Sequence, residues 1–134
     1  MDIFSLTHIA YGYENFELNM IYIILVGLGG GLGALARYST GVYIQDKIES
    51  KIPLHTLFIN VLGSFLLAYV YSHFNNKGLL TFMATGFLGG FTTFSTFIVE
   101  NLNLALDGHI TISLLYVALS IFLSIGACFL GVLI

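Results

Sequence analysis

Charge is what this chain has least of. Charged residues make up 8% of it, against roughly a quarter in an ordinary globular domain. Four Lys/Arg and seven Asp/Glu cannot supply the polar coat that a small soluble particle needs, so the composition excludes a soluble fold and points to lipid. Tryptophan is absent and cysteine occurs once, at Cys128, which excludes an internal disulfide. Pro53 is the single proline. No GxxxxGK[ST] run is present, so ATP is not the motor of any transport. No carboxylate lies between Glu17 and Asp46, and none between residues 54 and 74 or 110 and 134, which leaves a proton relay poorly provided for. Nothing suggests a nucleic-acid partner. The first nineteen residues are acidic and polar, with no basic n-region or long apolar run, so no cleavable signal peptide is expected. His8, His55, His73 and His109 are scattered without metal-ligand spacing and read as polarity near helix ends.

What the chain does have is long apolar runs between clusters of charge. Asp2, Glu14 and Glu17 stand at the front, Asp46, Lys47, Glu49 and Lys51 share one short stretch, and Lys77 and Asp107 mark two more breaks. The intervals run from Met20 to Ile44, Leu54 to Phe74, Leu79 to about Asn103 and Ile110 to Ile134. Each has the roughly 20 residues needed to cross a hydrocarbon core about 30 Å thick. The fold class expected is therefore an all-α membrane protein of four transmembrane helices over residues 20–134, with residues 1–19 as an N-terminal tail of unassigned role. Lys47 and Lys51, with Arg37 deeper on that side, oppose Lys77 alone. The positive-inside bias is thus one or two charges, which suits a chain inserted both ways round as well as one with a single orientation.

Each span carries its own polar signal. In the first, "GLGGGLGALARY" contains Gly29-x-Gly31-x-x-Ala34, a spacing like that of dinucleotide-binding loops. That fingerprint needs a strand–turn–helix unit in an α/β sheet, and nothing downstream provides one. The pairs Gly29/Gly33, Gly30/Ala34 and Gly27/Gly31 instead read as small-xxx-small contacts that let helices approach closely in lipid. Arg37 lies about 10 Å inside the expected helix end at 1.5 Å per residue. It either snorkels to the interface or draws an anion to a pore mouth. In the second span Pro53 fits a helix start, Gly63 and Ser64 form a small packing patch, and Asn60 is the lone interior carboxamide. Asn60 either glues helices together or donates to an anion on a wet path. In the fourth span Tyr116, Ser120 and Ser124 are spaced by four and share a face. They form a hydroxyl track, unless each bonds back to its own i−4 carbonyl.

The third span is the odd one. "GFLGGFTTFSTFIVEN" (residues 86–101) places adjacent glycines and then four hydroxyls among three phenylalanines. Gly89-Gly90 is costly inside a helix and Thr92-Thr93 is β-branched and stiff, so a break is expected at the glycines, close to the membrane midplane. Backbone freed there is tolerated only where it is buried in protein or lines a wet cavity, and unwound carbonyls at such breaks often surround a cation. Phe94 and Phe97, three apart, share a face, and the positive edges of their rings can touch a small anion without trapping it.

Three segments, "GGGLGALARY", "HTLFINVLGSFLLA" and above all "TGFLGGFTTFSTF", resemble in order the signature segments of the Fluc (CrcB-type) fluoride channel family, from about residue 20 to the end. The resemblance implies an antiparallel dual-topology dimer in the plasma or inner membrane of a prokaryote, letting cytoplasmic fluoride leave passively through two pores and so relieving its toxicity. It implies that the carbonyls of Gly89 and Thr92, with those of a second, inverted copy, hold one structural Na⁺ at the dimer centre. It assigns Phe94 and Phe97 to the pore lining with Ser95 and Thr96 beside them, Asn60 to the pore, Arg37 to the vestibule, and Tyr116, Ser120 and Ser124 to a polar track. Glu100 matches the acidic residue after the motif, and residues 1–19 are a departure from the family pattern. The pore set is complete, which favours a homodimer.

Two rival readings stand beside this one. A small dual-topology multidrug exporter shares the length and span number, but needs a carboxylate in the first span and aromatic cages for its drugs; the first is absent and tryptophan is wholly missing. A non-transporting membrane assembly protein accounts for the glycine packing but not for a midplane break followed by four hydroxyls. None of these readings is enzymatic.

Overall fold

A computed structural model describes the backbone of residues 3–134, and side-chain surroundings from residue 19 onward. The described residues are helical throughout, without a strand: α1 (Ile3–Lys47), α2 (Leu54–His73), a third span in pieces, and α6 (Ile110–Leu133). The third span runs as α3 (Lys77–Leu80), a π-helical stretch (Thr81–Leu88), α4 (Gly89–Phe91), an extended pair at Thr92–Thr93, and α5 (Phe94–Leu106). Four segments are long and apolar enough to cross a bilayer: Asn19–Lys47, Leu54–His73, Lys77–Leu106 and Ile110–Leu133. They agree with the spans read from the sequence. The proposed tail falls largely outside the residues whose side chains are described, and the α1 backbone continues through it from Ile3.

Glycine decides how the spans meet. The first and third approach until backbone touches backbone. A Cβ built on Gly33 would overlap the Phe87 carbonyl and stand 2.9 Å from Phe91 N, and one on Gly29 would overlap the Phe82 carbonyl. From the other side, Gly86 stacks on Gly29 and Gly90 on Gly30. The Gly29/Gly33 pair is thus the close contact expected of it. The Gly27/Gly31 pair is not: a Cβ at either meets nothing within 4 Å of this chain. The second and fourth spans pack in the same way through Gly131, against the Phe65 carbonyl and the Tyr69 amide. Val70, Ala84 and Leu88 form the buried core between the second and third spans, with Leu66, Leu80, Met83 and Phe87 around them.

The break is real, but it does not sit at the glycines. Gly89 has helical dihedrals (φ −63°, ψ −38°), and the chain leaves the helix at Thr92 (φ −74°, ψ 158°) and Thr93 (φ −148°, ψ 121°). The glycine cost that argues for a break is offset in lipid by the contact that Gly90 makes with Gly30. Unwinding falls instead on the β-branched pair, where side chains from other spans take over the freed backbone groups. Thr92–Thr93 lies at the middle of Lys77–Leu106. The sequence carries no residue-level signal for the π-helical stretch; such wide turns recur at functional sites.

Candidate functional site

Breaking a helix produces two poles at one place. The first half ends with unpaired carbonyls and partial negative charge, and the second begins with unpaired amides and partial positive charge. Thr92 N–H still reaches Leu88 O, 3.0 Å away. Thr93 N–H does not return to the Gly89 carbonyl. It donates to Asn60 Oδ1 at 2.8 Å, while Asn60 Nδ2 donates to Thr93 O at 2.8 Å. One carboxamide thus satisfies both backbone groups of the residue at the break. Ser64 Oγ, one turn on, donates to the Asn60 main-chain carbonyl at 2.8 Å, a bond within α2. Gly63, on the same helix face, makes room for the Thr92 methyl.

The exchange leaves the Gly89 carbonyl without its i+4 donor, on an exposed residue. Arg37 Nη1 donates to Thr92 O at 3.1 Å. The arginine therefore turns inward to the break and does not snorkel. Since α1 ends at Lys47 and not Ile44, Arg37 lies about 15 Å from the helix end, deeper than the sequence suggests. Around these groups opens a cavity of about 280 Å³ whose lining includes Asn60, Gly89, Thr92, Thr93 and Phe94.

On the amide side, Thr93 is the N-cap of α5. Its Oγ1 accepts from Thr96 N at 3.3 Å and donates to Thr96 Oγ1 at 2.9 Å. Asn60 and Thr93 between them take up two of the orphan amides of this helix start, leaving those of Phe94 and Ser95 without an intrahelical acceptor. Phe94 and Phe97 lie together, ring centroids 6.0 Å apart. Phe97 packs on Tyr116 at 5.0 Å. Phe94 is 74% exposed, and Ser95 and Thr96 are exposed beside it.

Further along α5, Glu100 gathers groups from the second and fourth spans. Its Oε1 accepts from Thr56 Oγ1 at 2.9 Å, and its Oε2 accepts from Tyr116 O–H at 2.8 Å. His55 Nε2 stands 3.0 Å from Oε1. One residue on, Ser113 Oγ donates to Asn101 Oδ1 at 2.8 Å, tying the same turn to α6. Tyr116 is wholly buried, so the fourth-span row begins inside the chain. Ser120 comes next, its hydroxyl buried and without a hydrogen-bond partner among the described residues. It is not bonded back to its own helix, as Ser39 and Ser64 are. Ser124 follows, half-buried.

The residues singled out in the sequence thus fall into two groups. Arg37, Asn60, Gly89, Thr92, Phe94, Ser95 and Thr96 converge on the break. Phe97 and Tyr116 continue from it where α5 packs on α6, and Ser120 and Ser124 follow Tyr116 along α6. Sequence reasoning missed Thr93, which is cap and keystone, and the partnership of Thr56 and His55 with Glu100. Threonine is a favoured N-cap residue, and its place just before the start of α5 marks Thr93. The Glu100 contacts span 44 positions to Thr56 and 16 to Tyr116 and leave no local trace. His55 stands near the start of α2, as end-of-helix polarity suggests, but it is engaged rather than idle. Among the described residues no cluster of three His, Cys, Asp or Glu side chains is placed to hold a metal.

The family described as CrcB-like protein, Camphor Resistance (CrcB), matches residues 24–132. A Listeria innocua protein named fluoride-specific ion channel FluC 1 is 38% identical over 114 residues, covering 85% of this chain and 97% of the relative. A Campylobacter jejuni fluoride-specific ion channel FluC is 41% identical over 116 residues, covering 84% and 95%. A Saccharophagus degradans protein of the same name is 44% identical over 114 residues, covering 81% and 85%.

Proposed function

This chain belongs to the CrcB-like protein family, and on that premise we propose a route by which its broken third span conducts fluoride. The protein is a fluoride-specific ion channel, a multi-pass protein of the prokaryotic cell membrane and not an enzyme. Our reading is passive exit of cytoplasmic fluoride, which relieves its toxicity, through two pores in an antiparallel dual-topology pair of identical chains. The observation that carries it is the pair of helix poles at Thr92–Thr93, mid-span, with unpaired amides beside the exposed Phe94 and Ser95.

Fluoride is small and strongly hydrated, so a pore must replace water's donors without holding the ion fast. The α5 start supplies backbone amides and its positive pole. Ser95 and Thr96 supply hydroxyls, and Phe94 and Phe97 supply ring edges. Beyond Phe97 the route passes Tyr116, Ser120 and Ser124. The unpartnered Ser120 hydroxyl supports this direction, since a buried donor without a partner is costly unless something visits it. Arg37, beside the break, raises the local anion concentration at the vestibule.

A second copy is supported by what one chain leaves open. Gly89, Phe94, Ser95 and Thr96 are exposed at mid-span, where lipid satisfies neither a free carbonyl nor a hydroxyl. An inverted partner covers them and faces the same groups back. The Gly89 carbonyl and the second lone pair of the Thr92 carbonyl are hard oxygen donors of the kind Na⁺ takes, so the residues present fit one structural sodium shared between the copies. The ion's chemistry would be to neutralise the carbonyl poles where the two chains meet.

Purified protein in liposomes loaded with fluoride should discharge it quickly when the potential is clamped by an ionophore, with chloride far slower, as read by ion-selective electrodes. Phe94→Ile removes an aromatic edge and keeps an apolar side chain of similar bulk. Its fluoride flux should fall about 10-fold or more, the effect of roughly 1.4 kcal/mol on the barrier. Wild-type protein that releases no fluoride would defeat the channel reading, and normal flux in Phe94→Ile would remove that ring from the pore.

A further inference from the structure

Glu100 places a carboxylate one side chain away from the aromatic and hydroxyl route, where an anion is repelled by it. Among the described residues its ionic partner is neither lysine nor arginine but His55, at 3.0 Å. We propose that His55 sets how much negative charge Glu100 shows to a passing fluoride ion, and so tunes throughput as a positioning residue. The inference rests on the broken span being the fluoride route.

The geometry fixes which form of the ring does this. His55 Nε2 lies 3.0 Å from Glu100 Oε1 and 2.9 Å from Gln45 Nε2. A single ring nitrogen cannot donate to the carboxylate and accept from the amide together. An ionised carboxylate only accepts, so Nε2 carries hydrogen, and the Gln45 amide, whose nitrogen and oxygen are exchangeable by a flip, turns its oxygen to the ring. Nδ1 is then the position that gains or loses a proton. A cavity of about 460 Å³, lined by Gln45, Glu49, Lys51, His55 and Glu100 among others, adjoins the ring from the connection between α1 and α2, and gives protons a way in. His55 and Glu100 side chains are 19% and 17% exposed, so the pair is shielded but reachable.

The charged groups around His55 come from several elements. Glu100 approaches from α5. Glu49 and Lys51 line the cavity from the connection and oppose each other in sign. Arg37 of α1 lines the adjoining vestibule with His55 and Thr56. Tyr116 of α6 reaches Glu100. With the imidazole neutral, Glu100 stands as a net negative charge beside the route. With it protonated, the pair is neutral as a whole, and the anion meets less resistance. Histidine is the side chain that ordinarily changes charge between pH 5 and 8.

The experiment is fluoride current across planar bilayers at symmetrical pH from 8.5 to 6.0, using the full-length protein. Current is read because neutral HF crosses lipid without carrying charge. Wild-type current should rise about 4- to 16-fold as pH falls, the effect of one unit charge about 10 Å away at an effective dielectric between about 40 and 20. His55→Gln keeps a donor for Glu100 but takes up no proton, so its current should stay at the wild-type high-pH level throughout. His55→Lys, a fixed cation, should stay near the low-pH level, which a purely structural role for His55 does not produce. A flat wild-type profile, or an undiminished pH step in His55→Gln, overturns the proposal. Wild-type protein without fluoride current at any pH overturns the channel reading and this inference together, a failure distinct from conduction that ignores His55.

Discussion

Asn60→Asp should cut fluoride flux at least about 100-fold, as measured by electrode in the liposome assay, with protein yield in detergent largely retained. The substitution is nearly isosteric, so its effect is electrostatic and local. Asn60 now donates to Thr93 O at 2.8 Å and accepts from Thr93 N at 2.8 Å. An aspartate keeps the acceptor and loses the donor, leaving the Thr93 carbonyl facing a carboxylate oxygen. A buried backbone group stripped of its partner costs about 1–3 kcal/mol. A carboxylate also adds a charge beside the anion's path. At about 6 Å and an effective dielectric of about 20, two like charges repel by roughly 3 kcal/mol, and that alone is about 100-fold in rate. Asn60→Ala separates the two effects. It deletes both hydrogen bonds and adds no charge, so it should disturb the break yet conduct better than Asn60→Asp. Aspartate with near-normal flux would place the ion's path away from Asn60 and leave the residue a purely structural clasp.

That pair of hydrogen bonds also shows why the sequence reveals some of this site and conceals the rest. The spans are legible because lipid imposes a length on every apolar run, and Lys77, Asp107 and the 46–51 cluster punctuate those runs. Gly29 and Gly33 are legible because small residues four apart have one main use in a membrane. The break is legible in kind but lies three residues beyond Gly89–Gly90. Intrinsic propensity prices a glycine against water and an isolated helix, whereas Gly90 answers to the backbone of Gly30. What opens the helix is a competition for the Thr93 amide, which Asn60 wins from 33 positions away. The Glu100 cluster is hidden for the same reason: an acid near a span's end is visible, but its link to Thr56, Tyr116 and His55 exists only after α2, α5 and α6 have packed.

The second large effect concerns that packing. Gly33→Ala should abolish fluoride flux and lower the melting temperature of the purified protein, although it adds a single methyl group and alanine is the better helix former. The added Cβ would overlap the Phe87 carbonyl and stand 2.9 Å from both Phe87 C and Phe91 N. All three neighbours are backbone, so no side chain can rotate away and the two helices must part. Overpacking of this kind typically costs about 1–3 kcal/mol, and contact with rigid main chain on both sides argues for the upper end or beyond. Parting the helices also reaches the site. Arg37 sits one turn after Gly33 and holds Thr92 O at 3.1 Å, a bond that a shift of one ångström breaks. Gly126→Ala is the matched control, since a Cβ there meets nothing within 4 Å of the chain and gains the helix propensity of alanine. Flux and melting measured together then divide the causes. If Gly33→Ala melts like the wild type but does not conduct, the loss lies in the Arg37–Thr92 contact. If it conducts normally, the first and third spans have room to separate, and the glycine contact does not fix the geometry of the break.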